Sequence, residues 1–198
     1  MPLLTPLSAD TTPELANDFA LFERILGFVP NSLLTMQRVP AMVTGFGALT
    51  KAVMDPNGEV DPGFKRILAH FCSRAAGCQY CEAHSLIAAE LHDVPHQKVQ
   101  ALWQYQTSPL YSEAERVALD FALAAGSVPN GVDEPLMAKL RQHWSEVQIV
   151  EILGAISLYG FLNRWNDSMA TQIEAPALAM GQEVLAQGGW DGGKHNRQ

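Results

Sequence analysis

The stretch Gly77-Cys78-Gln79-Tyr80-Cys81-Glu82-Ala83-His84-Ser85 brings together two of the chain's three cysteines and one of its six histidines. A Cys-x-x-Cys that opens a helix sets both sulfurs at its first turn, where unpaired backbone N–H groups and the positive end of the helix dipole favour thiolate over thiol. The same spacing lets two thiols close a disulfide. On a helix, His84 and Ser85 share a face with Cys81, three and four residues earlier. A thiolate can attack the distal oxygen of a peroxide, an imidazolium can protonate the departing alkoxide, and a second thiol can condense with the sulfenic acid left behind. Cys81, Cys78 and His84 supply those three parts. Cys81 is assigned the attack because His84 lies one turn away, and Cys78 the resolving, more exposed role. The reverse order keeps its own physical case, since the first cysteine of such a helix often has the lower pKa.

Other residues compete for roles here. Arg66, His70 and Ser73 follow one helical face leading toward the cysteine turn, and His70 is the reserve proton carrier, with Glu82 and Glu151 as further candidates. Cys72 falls in the apolar stripe of the same helix and reads as an inert buried thiol. Cys78, Cys81, His84 and His70 are also zinc-type donors. They crowd onto one short turn with no second pair, so neither a metal nor a cofactor is expected. His92 and His96 read as surface residues, and Trp144, Tyr159 and Trp165 as core or interface aromatics.

The elements that must position these residues are helices. Phe64, Ile67, Leu68, Phe71, Cys72 and Ala75 form a core stripe on a helix from about Asp61 to Ala76, and Gly77 breaks it before the cysteine helix. Upstream, Thr12-Pro13 starts a helix carrying Leu15, Phe19, Phe22 and Leu26 that ends at Gly27, and Pro30 and Pro40 start two more. Downstream, Ser112-x-x-Glu115 and Ser145-x-x-Gln148 have the capping-box form. A final helix is expected over 175–186, then a disordered tail over 188–198. Val-Pro-Asn occurs at 29–31 and 128–130, a weak hint of two related halves. No stretch alternates with period two between hairpin turns, so the fold class is all-α, with about eight to ten helices in one domain over 1–187.

Composition narrows function further. The 198 residues are 47% hydrophobic, enough for a full core, and a net charge of −8 offers no basic surface to nucleic acid or anionic lipid. No secretory leader or membrane-spanning run is read, which points to a cytoplasmic protein with no membrane partner, and three cysteines do not suit a disulfide framework.

Gly27-Phe28-Val29-Pro30-Asn31, Val39-Pro40, the Cys78/Cys81 pair with His84, and Trp144-Ser145-Glu146 through Asn163-Arg164 occur in an order that resembles the carboxymuconolactone decarboxylase and alkylhydroperoxidase D (AhpD-like) superfamily. The resemblance implies an all-helical fold, assembly into trimers or hexamers and, in the two-cysteine branch, reduction of hydroperoxides with an electron donor that is a dithiol or a protein. A lyase acting on a small lactone, as in the decarboxylase branch, and a non-catalytic helical binding protein are the alternatives. Two departures stand out. The family's glutamate twelve residues before the first cysteine is Arg66 here, and its histidine four residues after the second is Ser85, with His84 one place earlier.

Overall fold

The computed structural model describes residues 1–196, and every regular element among them is helical. Ten α-helices follow one another: α1 (Ala16–Leu26), α2 (Asn31–Met36), α3 (Pro40–Val53), α4 (Pro62–Ala75), α5 (Gln79–Glu90), α6 (His96–Gln100), α7 (Glu113–Gly126), α8 (Glu134–His143), α9 (Glu146–Met169) and α10 (Ala175–Val184). Among the described residues no single helix is long and apolar enough to cross a membrane.

Local chemistry sets most of the boundaries. The Asp61 carboxylate accepts from the Phe64 N–H at 2.8 Å and starts α4. Ser112 with Glu115 and Ser145 with Gln148 form complete reciprocal capping boxes at α7 and α9, each side-chain cap contributing roughly 0.5–2 kcal/mol. Gly27, at φ 81, closes α1 in a left-handed turn. Thr12 departs from expectation. It makes no capping bond, Pro13–Leu15 is a 3-10 turn, and α1 begins at Ala16.

α4 and α5 are the centre of the molecule. α4 packs against α5, α7 and α9, and α5 also meets α1 and α10. Enclosed on several sides, α4 is buried from Gly63 to Ser73, polar positions included. Its apolar stripe is therefore only one of its inward faces. Each fully buried Phe or Leu, such as Phe71 or Leu86, contributes roughly 1.5–3 kcal/mol. Lys65 is tolerated in the core because its ammonium meets Glu151 at 2.7 Å and the Val53 carbonyl at 3.1 Å.

Two expectations are corrected. The tail expected to be disordered folds back over α5: Trp190 is 6% exposed and donates its indole N–H to the Gln79 carbonyl at 3.1 Å, and His195 is 1% exposed. Burying a tryptophan supplies the apolar area that offsets the ordering of a Gly-rich segment. The part of that expectation covering residues 197–198 lies outside the described residues. The two Val-Pro-Asn stretches are not one structural unit repeated, since Asn31 opens α2 while Asn130 lies in the connection between α7 and α8.

Candidate active site

Gly77, at φ 73, turns the chain between α4 and α5 in a conformation that a side chain would strain. The Cys78 N–H then donates to the Ser73 carbonyl at 3.0 Å and holds the start of α5 against the end of α4. Cys78 is the N-cap of α5, and Cys81 follows in the first turn. All three cysteines are free and buried. Cys78 is not the more exposed of the pair: it is 0% exposed against 2% for Cys81. The turn drives it inward beneath the returning C-terminal segment, while Cys81 faces a cavity.

The two sulfurs have opposite electrostatic surroundings. Cys78 is held below the ordinary thiol range, first by the hydrogen bond from the Cys81 thiol, then by His195 and the Cys81 backbone N–H, all against the cost of burial. Cys81 is pushed well up by burial and by its anionic neighbour Cys78, and the Asn166 amide at 3.4 Å from its sulfur offsets only part of this. Of the two sulfurs, Cys78 is the one favoured as thiolate and Cys81 the one favoured as thiol. Cys72 is pushed up to about 12 by burial and donates to the Ala69 carbonyl at 3.3 Å, which makes it an unreactive core thiol.

His84 meets a carboxylate that local spacing did not show. Its Nδ1–H donates to the Tyr80 carbonyl at 2.7 Å, and its Nε2 lies 2.7 Å from Glu174 Oε2 in an ion-pair contact off the ideal hydrogen-bond line. A carbonyl at one nitrogen and a carboxylate beside the other favour the imidazolium. Burial lowers its pKa, but Glu174 and the Tyr80 carbonyl outweigh burial and raise it. For Glu174, burial pushes upward and is outweighed by His84 and the Asn31 N–H, so the carboxyl is lowered. The Tyr80 hydroxyl also donates to Glu174, at 3.0 Å, and the Tyr80 ring stacks on His84 with centroids 3.9 Å apart.

The other candidates fall elsewhere. His70 is fully buried off the cavity wall, with Nδ1 3.1 Å from the Glu82 carbonyl and 3.0 Å from Ser85 Oγ, and burial lowers its pKa to about 4. It is a neutral core imidazole. Glu151 is engaged by Lys65 and the Glu59 and Val60 N–H groups. Glu82 is buried near Cys78, and burial raises its carboxyl to about 7. Ser85 donates to the Glu82 carbonyl at 2.8 Å. Among the described residues no group of three His, Cys, Asp or Glu side chains converges as metal ligands.

His195 was hidden in the tail. Its Nδ1–H donates to the Thr171 carbonyl at 2.9 Å, its Nε2 lies 3.7 Å from the Asp167 carboxylate, and its nearness helps hold the Cys78 pKa down. A Trp and a His in an otherwise Gly-rich terminus were the available signal.

The cavity in front of Cys81, about 70 Å³, is walled by Phe22, Leu33, Phe46, Leu158 and Tyr159, with Arg66, His84, Asn166, Ser32 and Thr50 among its polar members. Cys78 lies behind Cys81, outside that wall.

The fold recurs in solved structures. The debrominase Bmp8 is similar in its apo form at 39% identity and a TM-score of 0.84, over 92% of this chain and 97% of that one. Its cysteine-to-alanine variant in complex with 2,3,4-tribromopyrrole matches at 38% identity and 0.85 over the same shares. The chain belongs to the same family as this debrominase. An AhpD-core, peroxidase-related protein from Ralstonia eutropha JMP134 shares the fold at 22% identity and a TM-score of 0.76, over 88% of this chain and 92% of that one. The uncharacterized protein YnjA of Escherichia coli K12 is 26% identical over 110 residues, 56% of this chain and 60% of that protein's length. No family profile matches the chain. The carboxylate paired with His84 comes from the start of α10.

Proposed function

We propose that this chain is a dithiol-dependent reductase that removes bromine from a small apolar ring, with Cys81 as nucleophile, Cys78 as base and resolving thiol, and His84 as proton donor. The carrying observation is that Cys81 alone of the pair reaches the cavity, with the sulfur that holds the charge directly behind it. The likeness to the debrominase over nearly the whole chain supports the substrate class.

The steps balance without a further reagent. Cys78 thiolate takes the Cys81 proton along their shared hydrogen bond, and Cys81 thiolate attacks bromine. An S–Br bond forms as the C–Br bond breaks, leaving its electron pair on the ring carbon. His84 imidazolium protonates that carbon, and the Cys78 proton restores the imidazolium. Cys78 sulfur then displaces bromide from Cys81 and closes the disulfide. One thiolate, one thiol and R–Br give R–H, bromide and a disulfide, which an external dithiol or protein donor reduces.

A hydroperoxide is the second reading, favoured by a charged His84 on the cavity wall, since O–O cleavage releases an alkoxide that needs a proton at once. Cys81 then takes the distal oxygen, and Cys78 condenses with the sulfenic acid and releases water. A homo-oligomer, trimer or hexamer, belongs to the same reading, and the exposed Val147, Val150, Leu153 and Phe161 of α9 suit such an interface.

The test supplies a brominated pyrrole, or separately an alkyl hydroperoxide, together with dithiothreitol. Bromide release and peroxide loss are followed in wild type and Cys81→Ser. Turnover of the bromide that Cys81→Ser abolishes, with mass mapping of a Cys78–Cys81 bridge that leaves Cys72 free, is expected. Peroxide turnover alone selects the second reading. Turnover that survives Cys81→Ser, or a bridge to Cys72, overturns both.

A further inference from the structure

Arg66 is the one charged residue lining the cavity that the chemistry above leaves unused. It is 8% exposed, its guanidinium lines the wall beside Cys81 and Tyr159, and its Nε has no hydrogen-bond partner. The neighbouring buried cations are neutralised: Lys65 by Glu151 at 2.7 Å and His84 by Glu174 at 2.7 Å. Among the described residues no carboxylate pairs with Arg66, and the polar neighbour it does have is the Tyr159 hydroxyl. A guanidinium stays charged at any working pH, so it cannot relieve burial by losing its proton, as a lysine or histidine can. Holding such a charge in an aromatic-walled cavity is costly unless something anionic enters.

We propose that Arg66 is the anion-recognising group of the cavity, so that the pocket selects the conjugate base of a weakly acidic halogenated ring over its neutral form. The proposal rests on the reading that this cavity is the substrate site. Electron-withdrawing halogens acidify the O–H of a phenol, so a polyhalogenated phenol carries a delocalised negative charge near neutral pH. A planar guanidinium suits that charge by stacking or hydrogen bonding, while the walls of Phe22, Phe46 and Leu158 take the halogens. The same cation also faces the negative charge that passes from sulfur to ring carbon when the halogen is removed.

A matched pair of probes tests this: 2,4,6-tribromophenol, ionised at mildly alkaline pH, and its methyl ether, which cannot ionise. Binding is measured by calorimetry on the Cys81→Ser protein, where no turnover intervenes. The phenolate should bind at least tenfold more tightly than the ether. That preference should vanish in Arg66→Met and be partly kept in Arg66→Lys. Within the Arg66-intact protein, affinity for the phenol should fall as pH drops through the probe's own ionisation, a readout that stands even where Arg66→Met fails to fold. Equal binding of phenol and ether, or a preference that survives Arg66→Met, overturns the proposal. Failure here with bromide release intact in the wild type removes the anion site and leaves the reductase. Phenolate preference without any turnover does the reverse.

Discussion

Glu174→Gln isolates the charge of the buried pair from its shape. The glutamine carbonyl can still accept from the Tyr80 hydroxyl and the Asn31 N–H, so only the ion pair with His84 is lost. Breaking a buried pair by removing one partner costs roughly 3–5 kcal/mol when the orphaned charge must stay. His84 can shed its proton, so the expected loss is about 2–3 kcal/mol, the range of a hydrogen bond to a charged group. The raised pKa of His84 means its stabilisation is complete below the unfolded value of 6.5 and is lost as pH rises through the higher folded value. The lowered pKa of Glu174 means its share is present above 4.5 and is lost as pH falls through the lower folded value. The pair is therefore worth most between 4.5 and 6.5. In the variant, burial acts on His84 against only the Tyr80 carbonyl and Cys78, so its pKa falls, proton donation weakens and turnover drops by roughly 10²–10⁴-fold. Urea unfolding across pH, alongside bromide release, measures both effects. A gap between wild type and variant that is the same at every pH, together with an unchanged rate, refutes the ion pair and the role of His84.

Two further outcomes follow from groups outside the cavity. His195→Ala should raise the Cys78 thiol pKa and slow alkylation of the pair at neutral pH, read from the pH dependence of thiolate absorbance. Gly181→Ala should produce the same change from a distance, because a Cβ there collides with the Trp190 ring and lifts the segment that carries His195; an unchanged thiol titration in both variants removes the tail from the redox centre. His70, lowered from 6.5 to about 4, favours the folded state while neutral, and that contribution is lost as pH falls from 6.5 toward 4, by about 3 kcal/mol. In His70→Gln the stability curve should be lower at neutral pH and flatter on acidification, and an equally steep curve would show that the ring is not the group being protonated.

The parts of this protein legible in its sequence are those written by neighbours in the chain. Ser112, Ser145 and Asp61 mark helix starts because a cap and its target lie within one turn. Cys78, Cys81 and His84 mark the candidate site for the same reason. Glu174, Asn166 and His195 reach the same atoms only after α9, α10 and the tail have packed on α5, and nothing in their own surroundings distinguishes them. Apolar periodicity located the core stripe of α4 but could not show that its polar face is buried as well, because that depends on how many helices surround it. The glycines of the tail suggested disorder. Trp190 decides otherwise, through burial that composition does not register.

Charge is arranged along one direction across the site, which is how the proposed relay can run with Arg66 where the resembled family has a glutamate. Behind Cys81 stands the anionic Cys78; on the cavity wall stand the cations Arg66 and His84, the latter held by Glu174. Moving the carboxylate to α10 keeps a charged proton donor at the wall and frees the α4 position for a fixed positive charge. Electron density then moves from a thiolate toward a positive wall, and each step of the proposed sequence takes negative charge along that gradient until bromide leaves. A glutamate at position 66 would oppose this movement for an anionic ring but not for a neutral peroxide. Arg66→Glu should therefore suppress bromide release far more than peroxide loss under the same reductant. Equal suppression of both would show that the residue serves the sulfurs and not the substrate.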